Sequence, residues 1–332
     1  MIFQLKDELH KFDSFQKRKH SRLIIEKLCD FGFLVIPNER MEIPRNCEKT
    51  IPLTFMALVH GNEVGGIAVL NDLLDVIGNG SFRLHIPFAV LIGNLSAAYK
   101  NKRFIDRDLN RSFLRDNVDS CEDERARELE KILAKTLYLM DFHQTSQHSE
   151  TSFFIGPYTS EGLDFVLASA PRLPIVTHWN DVFSDEGRCS DEYVNLSGGY
   201  GFTIELGQNG FSPNQISMGV YTGLGAINYV QNGLIQKIPK KIRRRKKNIG
   251  GLFTWSQVVS TNCGRAVLDP GWYNFKNVIK GERLGESDGV PILAESNGAM
   301  LFPVYGDRAT LKQSAELCRI IRPITFADIE KE

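Results

Sequence analysis

The chain has 332 residues, 42% of them apolar, which suffices for one large domain or two ordinary ones with a substantial core. Forty basic residues balance forty acidic ones, so no global field draws the protein to nucleic acid or to an acidic membrane. The start, MIFQLKDELHKFDSFQKRKH, lacks the apolar centre of a signal peptide, and no apolar run is long enough to span a bilayer. Six cysteines (Cys29, Cys47, Cys121, Cys189, Cys263, Cys318) form no CxxC pair, so the expectation is a cytoplasmic protein with reduced thiols and no cysteine-rich zinc site.

Residues 1–31 read as an amphipathic helix with an apolar cluster at Leu23, Ile24, Ile25 and Leu28, and Phe33–Pro37 reads as a short strand. Ile51–His60 (IPLTFMALVH) and His85–Ile92 (HIPFAVLI) are apolar runs of the kind found in fully buried parallel strands. Between them, Gly65–Ile77 has helical spacing. Cys121–Leu137 is a charged helical pattern, Tyr138–His143 (YLMDFH) a third strand and Gly201–Leu206 (GFTIEL) a fourth. Strands alternating with helices predict an α/β fold: a mixed, largely parallel sheet flanked by helices. Beyond the basic run PKKIRRRKK at 239–247, turn signals crowd together, among them Asp269-Pro270-Gly271 and Asn297-Gly298. They predict a smaller C-terminal β-domain. The domains expected are therefore 1–245, catalytic, and 246–332, β-rich. No stacking aromatics flank the basic run, so it reads as a solvated linker rather than a nucleic-acid contact.

In parallel sheets, chemistry collects at the carboxyl ends of strands. His60, His143 and Glu205 all fall at or near such ends. His60 and Glu63 are spaced i, i+3 at a strand-to-turn junction and can aim at one ion; His143 is the best third ligand. Two histidines, a glutamate and a water make up a known catalytic zinc set. Glu205, in TIELG, sits among apolar neighbours, where a charge is costly unless paired. Partial burial would raise its pKa toward the range useful for proton transfer near neutral pH. Arg103–Phe113 (RFIDRDLNRSF) concentrates guanidinium forks and an amide suited to an anionic substrate, with Asp106 and Asp108 placed to orient the arginines. His10, His20, His85, His148 and His178 have no partner pattern and read as structural or exposed.

Four segments, HGNE at 60–63, RFIDRDLNRSF at 103–113, DFHQT at 141–145 and TIELG at 203–207, occur in an order and rough spacing that resembles the succinylglutamate desuccinylase/aspartoacylase family. That family is a branch of the zinc carboxypeptidase-like fold. The resemblance is strong over about 50–210 and only general in the tail. It implies one zinc ion held by His60, Glu63 and His143, with Asp141 supporting the third ligand. It also implies that Arg103 polarises the scissile carbonyl, that Asn110 and Arg111 grip a substrate carboxylate, and that Glu205 is the general base. The implied reaction is hydrolysis of a small N-acyl amino acid to a carboxylic acid and a free amino acid.

One segment departs from the family. Aspartoacylases have a tyrosine and an arginine before the general-base strand that bind the acyl carboxylate. Here GRCSDEYVNLSGGYGFTIE carries Arg188 and Tyr193 in the opposite order and at other spacing, so those roles do not carry over. Tyr305 is a candidate to reach the site from the tail. The expected partner is a small-molecule substrate, with no nucleic acid or membrane, and homo-oligomerisation is left open. Two other readings compete: a carboxypeptidase acting on short peptides, and a non-catalytic metal-binding or nucleic-acid-binding protein.

Overall fold

The buried apolar runs form the centre of one sheet. The computed structural model describes residues 2–39, 49–177, 187–236, 250–261, 266–305 and 315–329. The basic run at 239–247 lies outside the described residues, as do Cys47, His178 and Cys263.

The first half of the chain comprises helix α1 (Ile2–Lys17), strands β1 (Leu23–Cys29), β2 (Gly32–Pro37) and β3 (Ile51–Ala57), α2 (Gly65–Gly78), β4 (Phe88–Ile92), α3 (Leu95–Tyr99), a 3-10 turn at Leu109–Arg111, α4 (Cys121–Leu133) and β5 (Thr136–Thr145). Next come β6 (Phe153–Ile155), α5 (Ser160–Ser169), β7 (Ile175–Thr177), α6 (Ser190–Leu196), β8 (Tyr200–Gln208) and α7 (Pro213–Gln236). The tail holds β9 (Leu252–Thr261), β10 (Ala266–Leu268), β11 (Asn277–Val278), β12 (Arg283–Ser287), β13 (Val290–Leu293), β14 (Gly298–Leu301), β15 (Ala315–Ile324) and α8 (Phe326–Ile329).

Among the described residues, twelve strands make one sheet in the order β1-β2-β4-β3-β5-β8-β6-β7-β9-β15-β14-β11. Its centre, β4-β3-β5-β8, is parallel. The β1-β2-β4 edge is antiparallel. Every residue of β3 and β4 is buried, because helices cover both faces. On one face α1, α2, α5 and α7 pack over Phe12, Phe55, Phe142 and Phe165; on the other α4 and α6 pack over Leu91, Leu129, Leu139 and Val194. Helix α4 forms where its charge pattern predicts. Ser120 caps it by accepting the Asp123 N–H, three acids occupy its first turn, and Ala126, Leu129, Ile132 and Leu133 form its buried stripe.

Several boundaries differ from expectation, among them the end of β3, which stops at Ala57 rather than His60. Helix α1 stops at Lys17, and the cluster Leu23–Leu28 is instead strand β1, paired with β2 through a turn in which Phe31 takes a φ of 51°. A short apolar cluster fits a helix or a strand equally well, and pairing with β2 decided for the strand. Helix α4 ends at Leu133, because Thr136 joins the ladder opposite Ile51 and its hydroxyl meets that of Thr54 at 2.7 Å. Strand β4 starts at Phe88, just after Pro87, a residue with no N–H to give a ladder. No pattern announced helix α7. Its glycines dilute the apolar period, yet they allow contact: a Cβ on Gly225 would lie 2.3 Å from the Ser169 carbonyl oxygen.

The tail is a β region, and it continues the main sheet. Strand β9 pairs in parallel with β7, and β9, β15, β14 and β11 follow antiparallel. Strands β10, β12 and β13 form a separate three-stranded sheet. Leu268, Trp272, Leu284, Met300 and Leu317 form this region's own core. No helix among the described residues is long and apolar enough to cross a membrane.

Candidate active site

The site lies beyond the carboxyl ends of β3, β5 and β8. After β3 the chain turns through Leu58, which takes a left-handed φ of 58°. His60 follows, and the Glu63 N–H closes a turn on its carbonyl. Gly61 is required by close approach: a Cβ there would lie 2.2 Å from the Ala98 nitrogen and 2.3 Å from the Ala97 carbonyl carbon. His143 stands on β5 opposite Glu205 on β8, so sheet register sets these two side by side.

His60, Glu63 and His143 bring one ligand atom each to within 4.8 Å of one another, and all three are buried. The two Nδ1 atoms are 3.2 Å apart; that of His60 is 2.7 Å from Glu63 Oε1 and that of His143 is 3.0 Å from Glu63 Oε2. Each histidine turns its other nitrogen to an aspartate. His60 Nε2 is 3.1 Å from Asp108 Oδ1, and His143 Nε2 is 3.0 Å from Asp141 Oδ2. Carboxylates behind both imidazoles leave both Nδ1 atoms facing inward, the arrangement that suits a shared cation. Two nitrogens and a carboxylate are the donor set of a borderline divalent metal, so these residues can hold a metal ion.

The charges support one another. Burial opposes ionisation of Glu63, but His60 and His143 overcome it and hold the carboxyl below its usual range. Burial likewise opposes charge on Asp108, and His60, Arg103 and Arg111 overcome it. Asp141 and Glu63 raise His143 despite its burial. Glu205 goes the other way: burial pushes its carboxyl up to about 8. Its Oε2 atom is buried with no hydrogen-bond partner among the described residues, and the group is turned into the site and not to solvent.

The arginine loop is held from below by helix α4. The Glu122 carboxylate accepts N–H groups of Ile105 (2.7 Å), Asp106 and Arg107 (both 3.2 Å), and the side-chain amide of Asn94 (2.9 Å). Arg103 gives Nε and Nη2 to Asp108 Oδ2 at 3.1 and 3.0 Å, and its Nη1 lies 3.3 Å from Glu63. Asp108 thus orients an arginine, as expected, and also a histidine. Arg111 donates to the Asn110 carbonyl and the Cys189 sulfur, while Asn110 Oδ1 accepts the Ser190 N–H. All seven predicted site residues line one cavity of about 470 Å³.

The sequence model of the succinylglutamate desuccinylase/aspartoacylase catalytic domain matches residues 50–224, more than half of the chain. The chain belongs to this family. It is 26% identical over 287 residues to a succinylglutamate desuccinylase of Pseudoalteromonas atlantica, covering 76% of this chain and 78% of that one. The fold is that of a succinylglutamate desuccinylase from Vibrio parahaemolyticus (TM-score 0.68, 17% identity, 95% of each chain). Murine aminoacylase 3 shares it at a TM-score of 0.55 and 17% identity, over 85% of this chain and 98% of that one.

The acyl-side candidates fall elsewhere. Arg188 pairs through its backbone with Phe113, and the Tyr193 hydroxyl donates to the Glu130 carbonyl. Tyr305 is tied to the backbone of Trp272 within the tail's core. None of the three lines the cavity, whereas several residues not singled out from sequence do: Asn62, Asn209, Asp191, Phe302, Glu316 and Arg319. Asn62 lies inside HGNE, next to Glu63, a signal that was available; the others carry no local pattern. The four cysteines among the described residues are free thiols.

Proposed function

We propose that the protein is a zinc-dependent amidohydrolase that cleaves a small N-acyl amino acid into a carboxylic acid and a free amino acid. The observation that carries this reading is the His60–Glu63–His143 cluster with the buried Glu205 beside it in one cavity, its Oε2 atom without a hydrogen-bond partner among the described residues. Family membership and the hydrolase names of its relatives support the same reaction class.

A zinc ion held by the three ligands would supply Lewis acidity to the carbonyl and the attacking water, and its charge would favour the ionised Glu205 that a base requires. Glu205 takes a proton from the attacking water as the oxygen bonds to the amide carbon. Arg103, braced by Asp108, donates to the oxyanion that develops. Glu205 then delivers its proton to the departing nitrogen as the C–N bond breaks. Asn110 and Arg111 hold the amino acid's carboxylate and fix the amide against the base. We assign the ligands, base and arginine loop to a catalytic domain, 1–245, and the far wall of the cavity to a second, 246–332.

The test is metal content together with a hydrolysis screen of N-succinyl, N-acetyl and other N-acyl amino acids. About one zinc per chain is expected, and loss of activity in Glu205→Ala with zinc retained. A metal-free protein of normal fold, or full activity in that variant, sinks the proposal. A carboxypeptidase reading is weaker, because the relatives that the chain matches are named as deacylases of amino acids, and Phe302, Val304, Glu316 and Arg319 of the tail add to the cavity's lining.

A further inference from the structure

The segment that departs from the family brings neither Arg188 nor Tyr193 to the cavity, yet Ser190, which lies between them, meets the site from behind. Ser190 is the first residue of α6 and is fully buried. Its hydroxyl donates to Asp141 Oδ2 at 2.5 Å, the same oxygen that lies 3.0 Å from His143 Nε2. Its backbone N–H donates to Asn110 Oδ1 at 3.0 Å. One residue thus touches both the carboxylate behind a candidate metal ligand and the amide of the candidate carboxylate grip.

Both contacts set a direction. Asp141 Oδ1 is buried with no hydrogen-bond partner among the described residues, so the Ser190 hydroxyl and His143 are what hold this carboxylate. A carboxylate orients an imidazole only as well as it is itself held. At Asn110, commitment of the oxygen to the Ser190 N–H leaves the two Nδ2 hydrogens for the cavity that the residue lines. Turned the other way, the amide would offer an oxygen to a carboxylate and repel it. Ser190 itself is firmly placed. The Cys189 N–H donates to Glu192 Oε2 at 2.8 Å, and Gly201 lets α6 lie against β8, where a Cβ would stand 2.5 Å from the Asp191 carbonyl oxygen.

We infer that Ser190 is a positioning residue for both halves of the site: its hydroxyl fixes His143 for the metal through Asp141, and its N–H turns the Asn110 amide so that NH2 meets the substrate carboxylate. The first half needs only the metal site, whereas the second rests on the amidohydrolase reading.

Two substitutions separate the halves. Ser190→Ala removes the hydroxyl and keeps the N–H. Ser190→Pro removes both, at the helix position that proline favours and after a residue already extended, since Cys189 has a φ of −73° and a ψ of 164°. In competition with a chelator, both variants should bind zinc about 5- to 10-fold more weakly than the unaltered protein. At saturating zinc, with the best substrate of the N-acyl amino acid screen, Ser190→Ala should keep KM within about twofold. Ser190→Pro should raise KM by about tenfold over Ser190→Ala, with kcat changed less. Thermal melts in excess zinc check that both variants fold. Unchanged zinc affinity in Ser190→Ala, or the same KM in the two variants, overturns the inference even where amides are hydrolysed. If no N-acyl amino acid is hydrolysed, the amidohydrolase reading fails, and zinc affinity still decides the metal half: weaker binding in Ser190→Ala upholds it, and unchanged binding overturns it.

Discussion

The carboxyl ends of β3, β5 and β8 and the wall built by β14 and β15 meet across one cavity, and they are made differently. The strand ends are stiff. His60, Glu63, His143 and Glu205 are each at most 7% exposed, and the aspartates or backbone groups beside them leave little freedom. The wall mixes apolar side chains with a braced ion pair, Arg319 and Glu316. The parallel centre of the sheet therefore places the candidate reacting groups, and strands of the tail, joined to the same sheet, carry the side chains that line the cavity opposite them. If that division holds, substitutions at the strand ends should remove turnover or metal, and substitutions in the wall should change selectivity and leave both in place.

The largest effect is expected at Glu205. Glu205→Ala should lower kcat by about 10³-fold, measured by product release, with metal content unchanged. An equal loss of metal would make Glu205 part of the metal site and blur the comparison. Next is Asp141→Asn, which removes the carboxylate behind His143. It should weaken metal affinity by about 10- to 100-fold in a competition titration with a chelator.

Glu122 tests the support of the arginine loop. Burial opposes its charge, but the donors from Ile105, Asn94 and Asp106 prevail and its pKa lies below the usual 4.5. Glu122→Gln should cost about 1.5–3 kcal/mol at neutral pH by denaturant unfolding. Because the folded pKa is depressed, the wild-type advantage is complete above about 4.5 and is lost as pH falls through the lower folded value. The two stabilities should converge in acid; a constant gap would mean that shape, not charge, holds the loop.

In the wall, Phe302→Ala should raise KM by about three- to tenfold through lost apolar contact, with kcat and metal content little changed. A kcat loss as large as that of Glu205→Ala would break the comparison outright. The smallest effect expected is Ser120→Ala, which removes the cap of α4 and should cost about 1 kcal/mol of stability without touching substrate preference.

The central strands, the α4 pattern and the gathering of seven chosen residues around one cavity were legible because each is written in local sequence. Continuous apolar runs mark strands buried on both faces, and HGNE, DFHQT and TIELG sit where those runs end. Leu23–Leu28 was misread because a short apolar cluster has no period long enough to choose. Helix α7 was hidden by glycines whose purpose is contact with other elements.

The sequence by itself determined the family, the parallel centre of the sheet and the groups that gather at its strand ends, since these depend on composition and spacing within a few residues. Only the tertiary structure decided that Asp108 stands behind His60, and that Glu122 holds the arginine loop. It alone also brought Phe302 and Arg319 across from the tail, and left Tyr193 and Tyr305 in other cores. The physical reason is the pairing of β9 with β7 and of β15 with β9. Hydrogen bonds between strands far apart in sequence set which side chains face the cavity, and no local pattern encodes that choice.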